Sequence, residues 1–192
     1  MISGEARGRR LLTPKGFRIR PTADRIKESL FNILTGLRGQ FTGCRALDIF
    51  AGTGNLGIEA ISRGAALAVF IDSHRESAAL VTKNLQQLGF ADRGRVVAGE
   101  ALSALRSLEK KEEPFELVFL DPPYGQGFAE KVLGYMSTSA LVNESSIVVA
   151  EFSARETLPT SFGPLHEFDR RIYGDTVIAF FHLTGNECGS KF

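Results

Sequence analysis

Asp48-Ile-Phe-Ala-Gly52-Thr-Gly54-Asn-Leu-Gly57-Ile-Glu-Ala-Ile61 runs from a short apolar stretch through three glycines into a segment with helical apolar spacing. Glycine lets the backbone approach a ligand closely, and in an open parallel sheet ligands gather at the carboxyl ends of the strands. Residues 46–50 therefore predict a strand, residues 55–63 a helix, and the turn between them a candidate nucleoside site. A second acid, Asp72, closes the next apolar run 20 residues after Gly52, the spacing of a ribose-binding acid. A tight strand-to-helix turn with no ligand would use the same glycines.

Outward from this turn, apolar runs alternate with helical stretches. The runs are at 46–50, 66–72, 95–98, 117–121 and 146–152; helices are predicted at 55–63, 74–88, 101–110 and 127–138. Continuous apolar strands separated by helices imply a parallel sheet covered on both faces. Residues 166–173 and 176–182, joined by Gly174-Asp175, break the rhythm and predict an antiparallel hairpin. Residues 185–192 are small and polar and read as a frayed tail.

Gly52, Gly54 and Gly57 taken literally spell the dinucleotide fingerprint, which keeps a nicotinamide cofactor in view. Asp48 weighs against it, because a fixed anion before the glycines repels a diphosphate. S-adenosylmethionine has no phosphate and carries an ammonium and a sulfonium, so an acid-lined loop suits it better. The third strand ends Ala98-Gly-Glu100-Ala101, where Glu100 and the next amide are candidates to read an adenine. A plain helix-terminal acid complementing the dipole explains Glu100 equally well.

Leu117-Val-Phe-Leu-Asp121-Pro122-Pro123-Tyr124 places a rigid turn directly after the fourth run. Two prolines fix φ and remove N–H donors, leaving the Asp121 carboxylate and the Pro122 carbonyl as acceptors. An exocyclic nucleobase amine brings two N–H donors that match them, and Tyr124 offers a flat face for a base. The bland alternative is a Pro-Pro turn that ends a strand, with Tyr124 in the core. Beside a glycine loop in a parallel sheet, amine chemistry is the stronger reading.

The 192 residues carry 23 basic and 22 acidic side chains, so total charge selects no partner. Its distribution is uneven: residues 1–28 hold eight basic and three acidic residues, and the rest of the chain is mildly acidic. Leu11-Leu-Thr13 and Phe17-Arg-Ile-Arg20 around Pro14-Lys-Gly16 predict a hairpin with a basic face, followed by a helix opening at Pro21-Thr22. A basic appendage on an acidic body is the footprint of a polyanion-binding arm, although a solvated tail has the same composition. No apolar run is long enough to span a membrane, residues 1–10 are no secretory signal, and Cys44 and Cys188 form no disulfide framework. His74, His166 and His182 lack metal-ligand spacing, so no metal is expected. A reduced, cytoplasmic setting fits.

Asp48-x-Phe-x-Gly-x-Gly with Asp121-Pro-Pro-Tyr resembles the class I S-adenosylmethionine-dependent amino methyltransferases. Gly4-x-x-x-Gly8-Arg-Arg-Leu11, Arg20-Pro-Thr-Ala-Asp-Arg-Ile-Lys-Glu28-Ser-Leu-Phe31 and the extended loop Phe50 to Ala65 are similar to the bacterial RsmD family, over residues 1–183. That family methylates guanine N2 in 16S rRNA of the small ribosomal subunit. The resemblance implies an α/β, Rossmann-like fold with a seven-stranded sheet ordered 3-2-1-4-5-7-6, strand 7 antiparallel. It implies a basic extension over 1–40, a methyltransferase core over 41–184 and a tail over 185–192. Asp48, Phe50, Gly52, Gly54, Asn55, Asp72, Ser73, Glu100 and Ala101 would line the cofactor site, which releases S-adenosylhomocysteine. Asp121, Pro122, Pro123 and Tyr124 would form the catalytic motif. Arg7, Arg9, Arg10, Arg20, Thr22 and Arg25 would meet rRNA, on the subunit or an assembly intermediate, with the enzyme a monomer. Glu100 departs from the Asp often found at its position. Two other functions share these residues: DNA adenine-N6 methylation, and a non-catalytic RNA-binding or assembly factor.

Overall fold

The structure, a computed structural model, describes residues 1–14 and 21–184. They fall into two compact units, Met1–Ala104 and Leu105–Phe192. The expected second hairpin strand at 17–20, Arg20, the Thr22 side chain and the tail at 185–192 lie outside the described residues.

The first unit contains α1 (Pro21–Arg38), β1 (Arg45–Ile49), α2 (Asn55–Ser62), β2 (Leu67–Asp72), α3 (Arg75–Leu88) and β3 (Gly94–Ala98). Its strands run in the order β3-β2-β1. All are parallel, with Ile49 opposite Ile71 and Asp72 opposite Ala98. Phe50, Asp72 and Glu100 therefore leave the sheet at one edge. β1 and β2 are buried almost throughout, the carboxylates of Asp48 and Asp72 included.

The second unit contains β4 (Leu117–Leu120), α5 (Phe128–Met136), β5 (Ile147–Ser153), β6 (Ser161–Phe162), β7 (Leu165–Tyr173) and β8 (Thr176–Leu183). Its order is β4-β5-β8-β7-β6. β4 and β5 are parallel and the remaining pairs antiparallel. The hairpin expected around Gly174-Asp175 is β7–β8, with Gly174 at φ 60°. The described residues thus form eight strands, not seven. The addition, β6, spans two residues paired with His166 and Leu165, too short to leave a periodic pattern.

The N-terminal hairpin is a correction. Residues 11–14 carry no strand. The Leu12 N–H donates to Asn84 Oδ1 at 2.7 Å and the Leu12 carbonyl accepts from Asn84 Nδ2 at 3.1 Å, so a buried amide on α3 supplies what a partner strand would have supplied.

Residues 1–10 are likewise no free arm. They lie on α2, whose residues from Gly57 to Ser62 are all buried. Glu59 accepts the N–H groups of Ile2 at 2.9 Å and Ser3 at 3.0 Å; the Ser62 carbonyl accepts from Glu5 at 2.7 Å and its Oγ from Ala6 at 3.0 Å. Arg93 clasps Glu5 through two bonds of 3.0 and 2.7 Å. Gly4 makes the close approach possible: its φ is +77°, and a Cβ there would lie 1.6 Å from the Ser62 carbonyl oxygen. Gly4→Ala should undock the segment and speed tryptic cleavage after Arg7, Arg9 and Arg10 by about tenfold or more. Cleavage at the wild-type rate would show that the segment is not held this way.

Candidate functional site

β1 ends in a residue of unusual conformation. Phe50 has φ 65°, rare for a bulky side chain and costing of order 1–3 kcal/mol where it occurs. The chain then turns through Gly52 at φ 55° and Gly54 at φ 79° into α2. Two acids brace this turn from the sheet. Asp72 Oδ2 accepts the Gly52 N–H at 2.9 Å while its Oδ1 accepts the His74 N–H at 2.8 Å. Asp48 Oδ2 accepts the Gly57 N–H at 2.8 Å. The third glycine serves packing, because a Cβ on Gly57 would lie 2.4 Å from the Phe70 ring.

Asp48 is 2% exposed, so it supports the loop from within. Burial raises its pKa to about 7; the Gly57 N–H opposes that shift and the Asp72 charge adds to it. Glu100 caps α4 (Ala101–Leu108): its two oxygens accept the N–H groups of Leu102 at 3.2 Å and Ser103 at 2.9 Å. The helix-acid reading of Glu100 is therefore the geometry seen. Ala101 is buried behind it and Ser73 is exposed.

Asn55 opens α2, and its Oδ1 accepts from Lys27 Nζ of α1 at 2.7 Å. Lys27 is 5% exposed; burial lowers its pKa, with Glu59 at 3.8 Å opposing the shift. Asn84 also donates to the Thr53 carbonyl at 3.0 Å, so one amide holds both the glycine loop and the N-terminal segment. Sequence reasoning missed Lys27, Glu59 and Asn84. Each is a single polar residue on a helix, with no local spacing that points to its partner.

A Cβ added at Gly52 or Gly99 would meet nothing within 4 Å. Open space thus lies beside the ends of β1 and β3, at an edge that carries Asp72 and Glu100. These residues suit a cationic nucleoside better than a diphosphate.

In the second unit the turn after β4 places Asp121 at the surface, Pro122 inside, and Pro123 and Tyr124 outside. Leu120 pairs with Ala150, so the continuing register sets Asp121 beside Glu151 at the carboxyl ends of β4 and β5. The Tyr124 hydroxyl donates to Glu151 Oε1 at 3.0 Å. The Gly125 N–H donates to Glu156 Oε1 at 2.8 Å, and Glu156 Oε2 accepts the Ser153 N–H at 3.0 Å. Tyr124 is 44% exposed, which removes the reading of it as a core aromatic. Burial first, and then the Glu151 charge, hold its phenol well above the ordinary value, so it stays protonated. Burial also raises Glu151, opposed by the Tyr124 bond. Neither Glu151 nor Glu156 was expected; a lone acid inside the apolar run of β5 was the available signal.

Of the basic residues, Arg7, Arg10 and Arg25 are exposed. Arg9 turns onto the end of α3, donating to the Leu88 carbonyl at 3.2 Å and to the Gln87 carbonyl. That is the terminus a cation complements. Among the described residues no cluster of His, Cys, Asp and Glu could hold a metal, and no helix is long and apolar enough to cross a membrane.

A family model described as "Conserved hypothetical protein 95" matches residues 1–182. The Bacillus subtilis (strain 168) protein "Putative rRNA methyltransferase YlbH" is 36% identical over 185 residues, covering 96% of this chain and 99% of its own. "Ribosomal RNA small subunit methyltransferase D" of Escherichia coli (strain K12) is 36% identical over 160 residues, covering 83% of this chain and 77% of its own. The solved structure "Putative methyltransferase yhhF from Escherichia coli" matches with TM-score 0.82 at 33% identity, covering 95% of this chain and 96% of its own.

Proposed function

This chain belongs to the conserved hypothetical protein 95 family, and from that membership we propose that it methylates ribosomal RNA using S-adenosylmethionine, its target the exocyclic N2 of a guanine in 16S rRNA. Two relatives carry rRNA methyltransferase names, one of them for the small subunit. The observation that carries the chemistry is the Asp121-Pro-Pro-Tyr124 turn, with its carboxylate and aromatic ring both at the surface. S-adenosylmethionine, when bound, supplies a methyl group on a sulfonium that leaves as neutral thioether.

The glycine loop, with Asp72 and Glu100 at its edge, would hold the cofactor; Phe50, Gly54, Asn55, Ser73 and Ala101 would complete its lining. Asp121 and the Pro122 carbonyl would accept the two N–H bonds of the amine and keep its lone pair on nitrogen, available to the methyl group. Bond formation from nitrogen to carbon would accompany cleavage of the sulfur–carbon bond, and the product ammonium would give its proton to Asp121 or water. Asp121 needs no raised pKa, because the methylated nitrogen is far more acidic than the amine. Tyr124 stacks on the base, which must leave any helix to reach the pocket. By the family resemblance Arg7, Arg10, Arg20, Thr22 and Arg25 would contact rRNA on a small subunit or its precursor. The enzyme acts as a cytoplasmic monomer.

Asp48 makes cofactor binding depend on pH. Its folded pKa lies above its unfolded value, so the free protein loses stability as pH rises from about 4 to about 7 and is level above that. A cationic ligand favours the ionised carboxylate, so binding should tighten through pH 7 and release part of a proton. Calorimetry in two buffers of different ionisation heat reads that proton, and Asp48→Asn should remove it. Identical heats in both buffers with the wild-type protein would contradict the assignment.

The function itself is tested by titrating the protein with S-adenosylhomocysteine and assaying tritium transfer to small subunits, naked rRNA and unmethylated DNA. Binding with label in rRNA supports the reading. Label in DNA alone supports the adenine enzyme, and binding of RNA without transfer the assembly factor.

A further inference from the structure

We infer that Glu151 is a positioning residue for the reaction: it anchors the Tyr124 hydroxyl so that the ring is held as a fixed stacking face for the target base. The inference rests on the methyl-transfer reading and extends it to a residue on a different strand from the Asp-Pro-Pro-Tyr turn.

The turn is constrained in layers. Pro122 and Pro123 fix two φ angles, and Glu156 holds the Gly125 N–H at 2.8 Å where the chain turns at φ +74°. The backbone is thereby set, and what remains free in Tyr124 is rotation about its two side-chain torsions. An exposed tyrosine normally samples several rotamers, and ordering one on binding costs free energy that the base contact must supply. Here the hydroxyl is tied to Glu151 Oε1 at 3.0 Å while the residue stays 44% exposed. The tie is at the tip of the ring, so its faces are left to the ligand.

Glu151 is suited to this task by its place. It is the one acid in the run Ile147–Ser153, flanked by buried Ala150 and Phe152, and its strand is pinned by β4 on one side and β8 on the other. An acceptor on a paired strand is held more firmly than one on a loop. A charge-assisted O–H···O bond of this kind is stronger than a neutral one, which gives a carboxylate its advantage over a neutral acceptor.

The test compares Glu151→Ala, Glu151→Gln, Tyr124→Phe and the double variant Tyr124→Phe/Glu151→Ala. Glu151→Ala should lower kcat/KM for RNA roughly tenfold, the effect of one lost hydrogen bond. The KM for S-adenosylmethionine and the melting temperature should not change. Glu151→Gln, which keeps an acceptor oxygen but not the charge, should restore part of the rate. In the Tyr124→Phe background the further loss on removing Glu151 should be under about twofold, because the donor is gone. Wild-type kinetics in Glu151→Ala, or an equal loss with and without the Tyr124 hydroxyl, would overturn the assignment. Fluorotyrosine labelling gives a readout independent of activity, with three resonances for three tyrosines. The one lost in Tyr124→Phe should shift and sharpen in Glu151→Ala. An unmoved resonance overturns the anchor, whereas absence of transfer by the wild-type protein overturns only the functional reading beneath it.

Discussion

Asp121→Ala is expected to abolish methyl transfer, by about 10²-fold to 10³-fold or more, while S-adenosylhomocysteine binds as it does to the wild type. The asymmetry follows from where the two groups of residues lie. The glycine loop is braced by Asp48 and Asp72, which reach Gly57 and Gly52. Asp121 stands at the surface after β4, and in the proposed mechanism its carboxylate would accept an N–H bond of the amine and localise its lone pair. Alanine removes the carboxylate that, with the Pro122 carbonyl, would fix the two N–H bonds of the amine, and one acceptor cannot fix both. Calorimetry for the ligand and tritium transfer for the reaction read the two effects separately. Substantial product from the variant would place the essential acceptor elsewhere, and lost ligand binding would show that the turn supports the cofactor site.

Glu59→Ala should be the most damaging change outside the reaction chemistry. Glu59 is 0% exposed and is the meeting point of four groups: the Ile2 and Ser3 N–H groups, Lys27 at 3.8 Å and Arg63 at 2.9 Å. Its removal leaves Lys27 buried beside an empty space and two backbone donors without acceptors. Breaking a buried ion pair by deleting one partner costs about 3–5 kcal/mol. For a domain of this size that lowers the melting temperature by roughly 6–20 °C. Glu59→Gln keeps one acceptor oxygen and should fall between. A melting temperature within about 2 °C of the wild type, or under 1 kcal/mol at this scale, would mean that the buried cluster contributes little. Because Lys27 also holds Asn55, the surviving folded fraction should bind S-adenosylmethionine more weakly.

Much of the fold was legible because its strands are unbroken apolar runs and its turns are marked by glycine or proline. The run at 66–72 became β2 at Leu67–Asp72, and the stretch at 74–88 became α3 at Arg75–Leu88. The β7–β8 hairpin followed from Gly174-Asp175. The N-terminal segment was misread for a physical reason. Glu59 and Ser62 look like the solvent face of a short amphipathic helix, and only the folded chain shows that face covered by residues 2–6. Asn84 was similarly hidden: a single asparagine in a polar helix gives no sign that it replaces a strand partner for Leu12.

The candidate site was legible where a motif crowds its residues into one stretch, as in Asp48–Gly57 and Asp121–Tyr124. It was illegible where the partner comes from a distant strand. Glu151 lies 27 residues from Tyr124, and no local spacing links them. The conformation of Phe50 at φ 65° was also beyond periodicity, since apolar residues at strand ends ordinarily stay in the β region.

Methylation of small subunits that lack this modification, followed by digestion of their rRNA to nucleosides, tests the central claim most directly. The account predicts tritium in N2-methylguanosine, at one site per 16S rRNA, and none in the Asp121→Ala reaction. Label in N6-methyladenosine, or a wild-type protein that binds S-adenosylmethionine and transfers nothing to rRNA in any form, would contradict it.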